Sequence, residues 1–541
     1  MIFAASLCAA SAAKAPFKVL YNNDTTNLES CVAPFHPQSG APFEPQVLKA
    51  SIDEAIDAGA DAYLLSMGLL YVPLWDSKIY PPKEHFEWFY KNFPRTPRTG
   101  FATYMMQGGD YLQLYLDHCK DKKVAAFVSL RMNDYHAVED LDAAPGARLH
   151  VHSALAIDRF RREYPQWRLG NFSGGQIDPK NTFAVRESQV MDWAHPQVRA
   201  RVLGFIAEVC AYEIDGLELD FLRHFRLFNP NTTTLEQRRE IVTAFMKEVR
   251  SLLDKSQKDG KRRHLSVRVP AVKAAQDALG LDLAALERAG VDMINLSANY
   301  YTVQDGMELA RNRAEAPNAA MYLEMTHVTV VGADPGRKTG DSNFYRRTTD
   351  EQFYTTAHIA YANRLDGVSL FNFAYYREYG HKPERGPFSE PPFHVIQKIA
   401  DKNAVANSPQ FYFLSPVWRS PYGNSVQLPK TLRAKQPVAL TFQLYPPKEG
   451  FKSSARLRIQ SAQPITPGSV ITARFNGENL TPIANIAEPF KTPYPHLLGT
   501  EETLRAWEIP HSLLKEGENK ISLELKEGGA IRIMFVDLSI K

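Results

Sequence analysis

The stretch YEIDGLELDF, Tyr212 to Phe221, decides how this chain reads. Its apolar and β-favouring residues describe a buried strand, yet Glu218 and Asp220 interrupt it two positions apart. With side chains alternating from face to face, both acids point the same way, their Cα atoms about 7 Å apart at about 3.3 Å rise per residue. Leu217, Leu219 and Phe221 point oppositely. Two carboxyl groups on such a strand are either neutralised by a core arginine, such as Arg268 or Arg131, or form a carboxylate site at the strand's carboxyl end.

Outward from this strand the same pattern recurs. Short β-rich apolar runs alternate with helical stretches from Phe17 to about Ala400: Lys18–Asn22, Ala62–Met67, Val124–Leu130, Gly216–Phe221, Leu265–Val269, Met293–Ala298, Ala320–Thr326 and Val368–Phe373. Helix starts fall between them at Pro196, a first-turn proline, and at Thr233 and Thr348, each followed three residues later by a glutamate, Glu236 and Glu351. Eight strands in this order predict an α/β fold, a closed (β/α)8 TIM barrel. No glycine-rich phosphate loop follows the first strand, which argues against a nucleotide-binding sheet. Tyr135 to Asp192 is rich in Pro, Gly and Arg and reads as an insertion over the barrel mouth.

After a polar linker at 403–410 the helices disappear. Strands are expected at Ala439–Tyr445, Ala455–Gln460, Val470–Phe475, Lys520–Leu525 and Ala530–Leu538, with Asn476-Gly477 as a tight turn. The expected organisation is a leader at 1–15, a barrel at 16–402 and a C-terminal all-β sandwich of jelly-roll type at 411–541. The first fifteen residues are small and apolar and end in Ala-Lys-Ala, which suits a signal peptidase and a secreted or periplasmic protein, although no positive n-region precedes them. Cys31, Cys119 and Cys210 are too few and scattered for a disulfide framework or a zinc site, so buried thiols are expected. A net charge of +3 gives no reason to expect nucleic acid. No run has the length of a membrane span.

The segment DWAHPQVRARVLGFIAEVCAYEIDGLELDFLRH, Asp192 to His224, resembles the family-10-like glycosyl hydrolases, whose barrels carry a His-Pro-x-Val-Arg helix leading into an Asp-Gly-x-x-x-Asp strand. SLRMNDYH, DMINLSANYY and DGVSLFNF extend the resemblance over most of the barrel, and FNGENL with LLKEGENKISLEL resembles galactose-binding-like jelly rolls. The resemblance implies a hydrolytic barrel and maps onto Asp215, Gly216, Asp220 and Arg223. The chain departs from it by carrying an acid at Glu218.

Cleaving a glycosidic bond takes one group to protonate the leaving oxygen and another to attack the sugar or activate water. Asp220, nearest the strand's carboxyl end, is the foremost candidate, with Glu218 as rival or support. Glu324 near the end of the seventh strand is the expected partner, since barrels resembling this one often place acid/base and nucleophile after strands four and seven, which implies a retaining mechanism. If Glu218 and Asp220 share a cavity, their pKa values should split and leave one protonated.

Sugar-binding candidates at the strand ends are Asn22, Asp24, Arg131, Asn133, Asp134, His136, Arg223, His224, Asn299, Tyr300 and Asn372, with Trp75, Tyr71 and Trp167 as stacking surfaces. His150 and His152 resemble half a metal site but lack matching acids, so no metal or other cofactor is expected. The expected partner is a carbohydrate substrate. The alternatives are a non-catalytic carbohydrate-binding barrel and a polysaccharide lyase or deacetylase.

Overall fold

The structure is a computed structural model that describes residues 17–37, 42–172, 174–224, 226–258, 260–298, 300–331, 345–380, 386–416, 427–492 and 500–541. The expected leader and Asn299 lie outside the described residues. Strands are numbered in chain order: β1 (Val19–Asn23), β2 (Ala62–Ser66), β3 (Ala125–Arg131), β4 (Gly216–Asp220), β5 (His264–Pro270), β6 (Met293–Ser297), β7 (Ala320–Thr326), β8 (Val328–Val330), β9 (Tyr345–Arg347) and β10 (Gly367–Phe371). Strands β1 to β7 and β10 close a parallel barrel in the order β1-β10-β7-β6-β5-β4-β3-β2, and β8 pairs with β9 as a separate antiparallel hairpin. All eight expected barrel strands are present, their ends displaced by no more than two residues.

Alternation along each strand sorts the side chains. Outward residues such as Val19, Tyr63, Val128, Leu217, Leu219 and Val267 join the core shared with the surrounding helices. The lumen is layered, its amino-terminal end filled by Phe17, Leu20, Leu64, Phe127, Met293 and Tyr322. Gly216 opens β4 within this floor, where a Cβ would stand 2.2 Å from the Phe127 ring. Above the floor the inward positions turn polar, with Asn22, Ser129, Glu218, Asn295, Glu324 and Ser369 all buried. The strand that looked contradictory thus keeps its leucines for the helices and its acids for the lumen.

The helix Pro196–Val209 starts with proline in its first turn, as expected. Two other starts move by one residue. Thr234 and Thr349 are the N-caps, each in a capping box with a glutamine, Gln237 and Gln352. The neighbouring threonines are occupied elsewhere: the Thr233 hydroxyl donates to the Asn229 carbonyl and the Thr348 hydroxyl to that of Thr326.

The expected linker is ordered, with a helix at Lys402–Ala406 capped by Asp401 before β11 (Gln410–Leu414) begins. Two antiparallel sheets follow, built from β11, β12 (Lys430–Leu432), β13 (Val438–Leu444), β14 (Ala455–Ser461), β15 (Val470–Phe475), β16 (Glu478–Asn479), β17 (Thr481–Ile483), β18 (Leu504–Ile509), β19 (Gly517–Glu527) and β20 (Ile531–Ile540). One sheet runs β11-β20-β14-β18-β17 with β12 also on β20, and the other runs β13-β19-β15-β16. Strand β13 alternates buried and more exposed residues, as a sheet facing a sandwich core must. The barrel helix Asp350–Ala362 meets this domain, Thr355 accepting from the Phe411 amide at 2.7 Å and His358 Nε2 lying 2.8 Å from the Tyr445 carbonyl oxygen.

Candidate active site

Register places Arg131, Asp220 and Arg268 side by side on β3, β4 and β5. Arg268 spans the lumen between the carboxyl groups singled out from the sequence. Its Nη1 donates to Asp220 at 3.0 and 3.1 Å, while Nε and Nη2 donate to the two oxygens of Glu324 at 2.7 and 2.6 Å. The guanidinium lies 4.2 Å from the Phe371 ring centroid. Arg268 therefore holds Asp220 and Glu324 in one site, in the manner of the core arginine considered above.

The three carboxyl groups differ in what remains free. Glu324 also accepts from Ser297 at 2.6 Å and Asn295 at 3.2 Å, so both oxygens take two donors, which favours the charged form. Burial pushes its pKa up against the opposing pull of Arg268. Asp220 uses Oδ1 for the amides of Leu222 and Arg223 at 2.8 and 3.0 Å, leaving Oδ2 with Arg268 alone. Glu218 accepts through Oε1 from Asn22 at 2.7 Å and Ser129 at 2.9 Å, and its Oε2 has no partner. Burial, reinforced by the charge of Asp220, raises Glu218 from 4.5 to about 8, so it is neutral at pH 7.

A second network lies at the carboxyl end of the barrel. Arg131 pairs with Asp24 and Asp134, each at 3.0 Å. Burial works to raise Asp24, but Arg131 and Arg223 outweigh it and bring it down to about 2. Asp134 is likewise held well below the carboxylate range despite its burial, by His136, His224 and Arg131. Asp134 Oδ1 is 2.7 Å from His136 Nδ1, and Arg223 Nη2 is 3.2 Å from His136 Nε2. Since a guanidinium can only donate, His136 accepts at Nε2 and carries its proton at Nδ1, toward Asp134. The His136 side chain is 40% exposed, which makes it the open end of this network.

Asp134, His136 and His224 bring ligand-type atoms within 4.8 Å of one another. Their lone pairs are nevertheless in use: Asp134 accepts from Arg131, His136 from Arg223, and His224 Nδ1 from the Tyr135 amide at 3.1 Å. Two guanidinium groups beside the cluster make it a poor setting for a cation.

The other sequence candidates divide. Tyr300 reaches the rim, where the Arg223 guanidinium lies 5.4 Å from its ring centroid. Asn133 instead ties backbone together, donating to the Met191 and Arg226 carbonyls at 3.0 and 2.7 Å. Asn372 is buried in a left-handed turn at φ 56°. Trp75 lies away from the mouth, buried edge-on to Phe205 with its indole N–H on Glu208. Tyr71 is buried beneath the Arg161 guanidinium, and Trp167 stacks on Tyr164. His150 and His152 pack on each other. Cys31, Cys119 and Cys210 are buried free thiols, as expected.

Sequence reasoning passed over Ser129, Asn295 and Ser297, which hold the carboxyl groups. All three lie within the expected strands, at alternate positions sharing the inward face.

No protein-family model and no curated protein matches the chain. Among solved structures it is similar to a Group IV chitinase of Ostrinia furnacalis in complex with allosamidin, at 12% identity and TM-score 0.37, over 71% of this chain and 98% of that one. It is similar to the chitinase ChiA74 of Bacillus thuringiensis at 9% identity and TM-score 0.38, over 95% and 99%. The α-L-fucosidase AlfC of Lactobacillus casei gives 10% and 0.36, over 71% and 95%. The family-10-like resemblance accordingly rests on the residues quoted for it.

Proposed function

We propose that the chain is a glycoside hydrolase acting on an oligo- or polysaccharide at the carboxyl end of the barrel, with Glu218 as acid and Asp220 as the carboxylate that meets the sugar. The observation that carries this reading is the contrast between two carboxyl groups two residues apart. Burial and the charge of Asp220 raise the Glu218 pKa to about 8, whereas Asp220 is ion-paired with Arg268. A protonated carboxyl group beside one that is ion-paired can serve as the acid and its partner.

In the retaining form of the reaction, Glu218 gives its proton to the leaving oxygen as Asp220 Oδ2 attacks the anomeric carbon, forming a glycosyl ester. The ionised Glu218 then takes a proton from water as that water displaces Asp220, so both groups return to their starting states. Glu324, with both oxygens occupied, holds Arg268 in place in this scheme. A leader at 1–15 would make the enzyme a secreted or periplasmic one.

One observation favours the alternative of a carbohydrate-binding barrel without turnover. Glu218, Asp220 and Glu324 are only 0%, 3% and 3% exposed. Release of reducing sugar from a panel of glycans by wild type, E218Q and D220N separates the readings. Hydrolysis predicts turnover that falls at least about 100-fold in either variant. Binding without turnover by wild type supports the alternative, and an unsaturated, ultraviolet-absorbing product identifies a lyase.

A further inference from the structure

Arg223 makes no contact ion pair among the described residues, although its charge is felt by Asp24. Among the described residues no carboxylate lies within ion-pair distance of its guanidinium, whereas Arg131 and Arg268 each hold two. The group is nonetheless fixed in place. Its own amide is held by Asp220 Oδ1 at 3.0 Å, its guanidinium lies 5.4 Å from the Tyr300 ring centroid, and Nη2 donates to His136 Nε2 at 3.2 Å. Its Nε is buried without a partner. A guanidinium spending one donor on an imidazole and leaving another unused is arranged for a better acceptor. It stands three residues after Asp220, at the half-buried rim of the barrel mouth.

We infer that Arg223 is a specificity residue and that the saccharide it recognises carries an anionic group, a carboxylate or a sulfate ester, next to the ring placed at Asp220. The inference rests on the reading of the barrel mouth as a carbohydrate site. An incoming anion takes the Nε and Nη donors in a forked pair, while Tyr300 keeps the guanidinium plane in position. A neutral saccharide offers the guanidinium only hydroxyl contacts. Arg223 acts by binding and takes no part in proton transfer.

Calorimetric titration of the full chain tests this with three probes: a hexuronic acid oligosaccharide, its carboxyl-reduced counterpart and a sulfated oligosaccharide. The expected result is that one of the two anionic probes binds at least about tenfold more tightly than the carboxyl-reduced one. Which anion binds distinguishes carboxylate from sulfate recognition. R223Q should abolish that preference, R223K should restore part of it, and thermal melting of both variants reports whether they fold. Equal binding of all three probes, binding of none, or a preference that survives in folded R223Q overturns the inference. Turnover measured on wild type alongside binding separates this from the hydrolase reading. Anion-selective binding with no turnover by wild type leaves Arg223 assigned and removes the hydrolase, whereas turnover of neutral glycans without anion preference does the reverse.

Discussion

The Arg268 guanidinium donates to both carboxylate oxygens of Glu324, at 2.7 and 2.6 Å, while its remaining terminal nitrogen reaches Asp220. Arg268 is fully buried, so neither carboxylate has water to fall back on. Replacing it with methionine leaves two buried acids uncompensated and should cost about 3–5 kcal/mol in urea denaturation. A loss below about 1 kcal/mol would mean that the lumen is hydrated enough to solvate them.

Glu218 gives the protein a pH dependence opposite to that of an ion-paired acid. Its pKa rises from 4.5 to about 8 on folding, so between those values the native state holds a proton that the unfolded chain has released. Stability from this group is full below about pH 4.5 and is lost progressively as pH climbs through about 8. Denaturation midpoints at pH 5.5 and 8.5 should differ less in E218Q than in wild type. An unchanged difference would show that Glu218 is not the group responsible.

The barrel floor makes its own prediction. A methyl group at Gly216 meets the Phe127 ring, itself packed edge-on to Phe17 and stacked on His264. Gly216→Ala should destabilise by about 1–3 kcal/mol in denaturant titration, with part of the loss recovered when Phe127→Leu is added. Wild-type stability in the single variant would contradict the packing described for this layer.

Stereochemistry supplies a fourth check. With Asp220 as nucleophile, the first product should keep the anomeric configuration of its substrate, as read by proton NMR before mutarotation. Inversion would recast Asp220 as a base acting on water.

Much of this architecture was legible in the chain because burial on both faces leaves a plain record. Runs such as Ala320–Thr326 are mostly apolar and wholly buried, and the observed β7 matches that range. The threonine pairs at 233–234 and 348–349 were harder: either threonine can cap, and the choice turned on carbonyls supplied by Asn229 and Thr326. The short strands β12, β16 and β17 carry too few residues to show a period. At the site, alternation alone put Glu218 and Asp220 on one face. That Arg268 would bridge Asp220 to Glu324 depended on three strands meeting across a closed lumen, and a linear pattern does not encode that. Trp75 showed the same limit from the other side, since its indole serves Glu208 in the helical layer.

The role of Glu218 as proton donor is tested most directly by the rate of E218Q on two glycosides of one sugar, one with an alkyl leaving group and one with dinitrophenolate. A general acid matters when the departing oxygen needs a proton and little when it leaves as a stable anion. E218Q should lose about 100-fold or more on the alkyl glycoside and far less on the dinitrophenyl one. Equal losses on both, or no loss on either, would contradict the assignment of Glu218 as the acid.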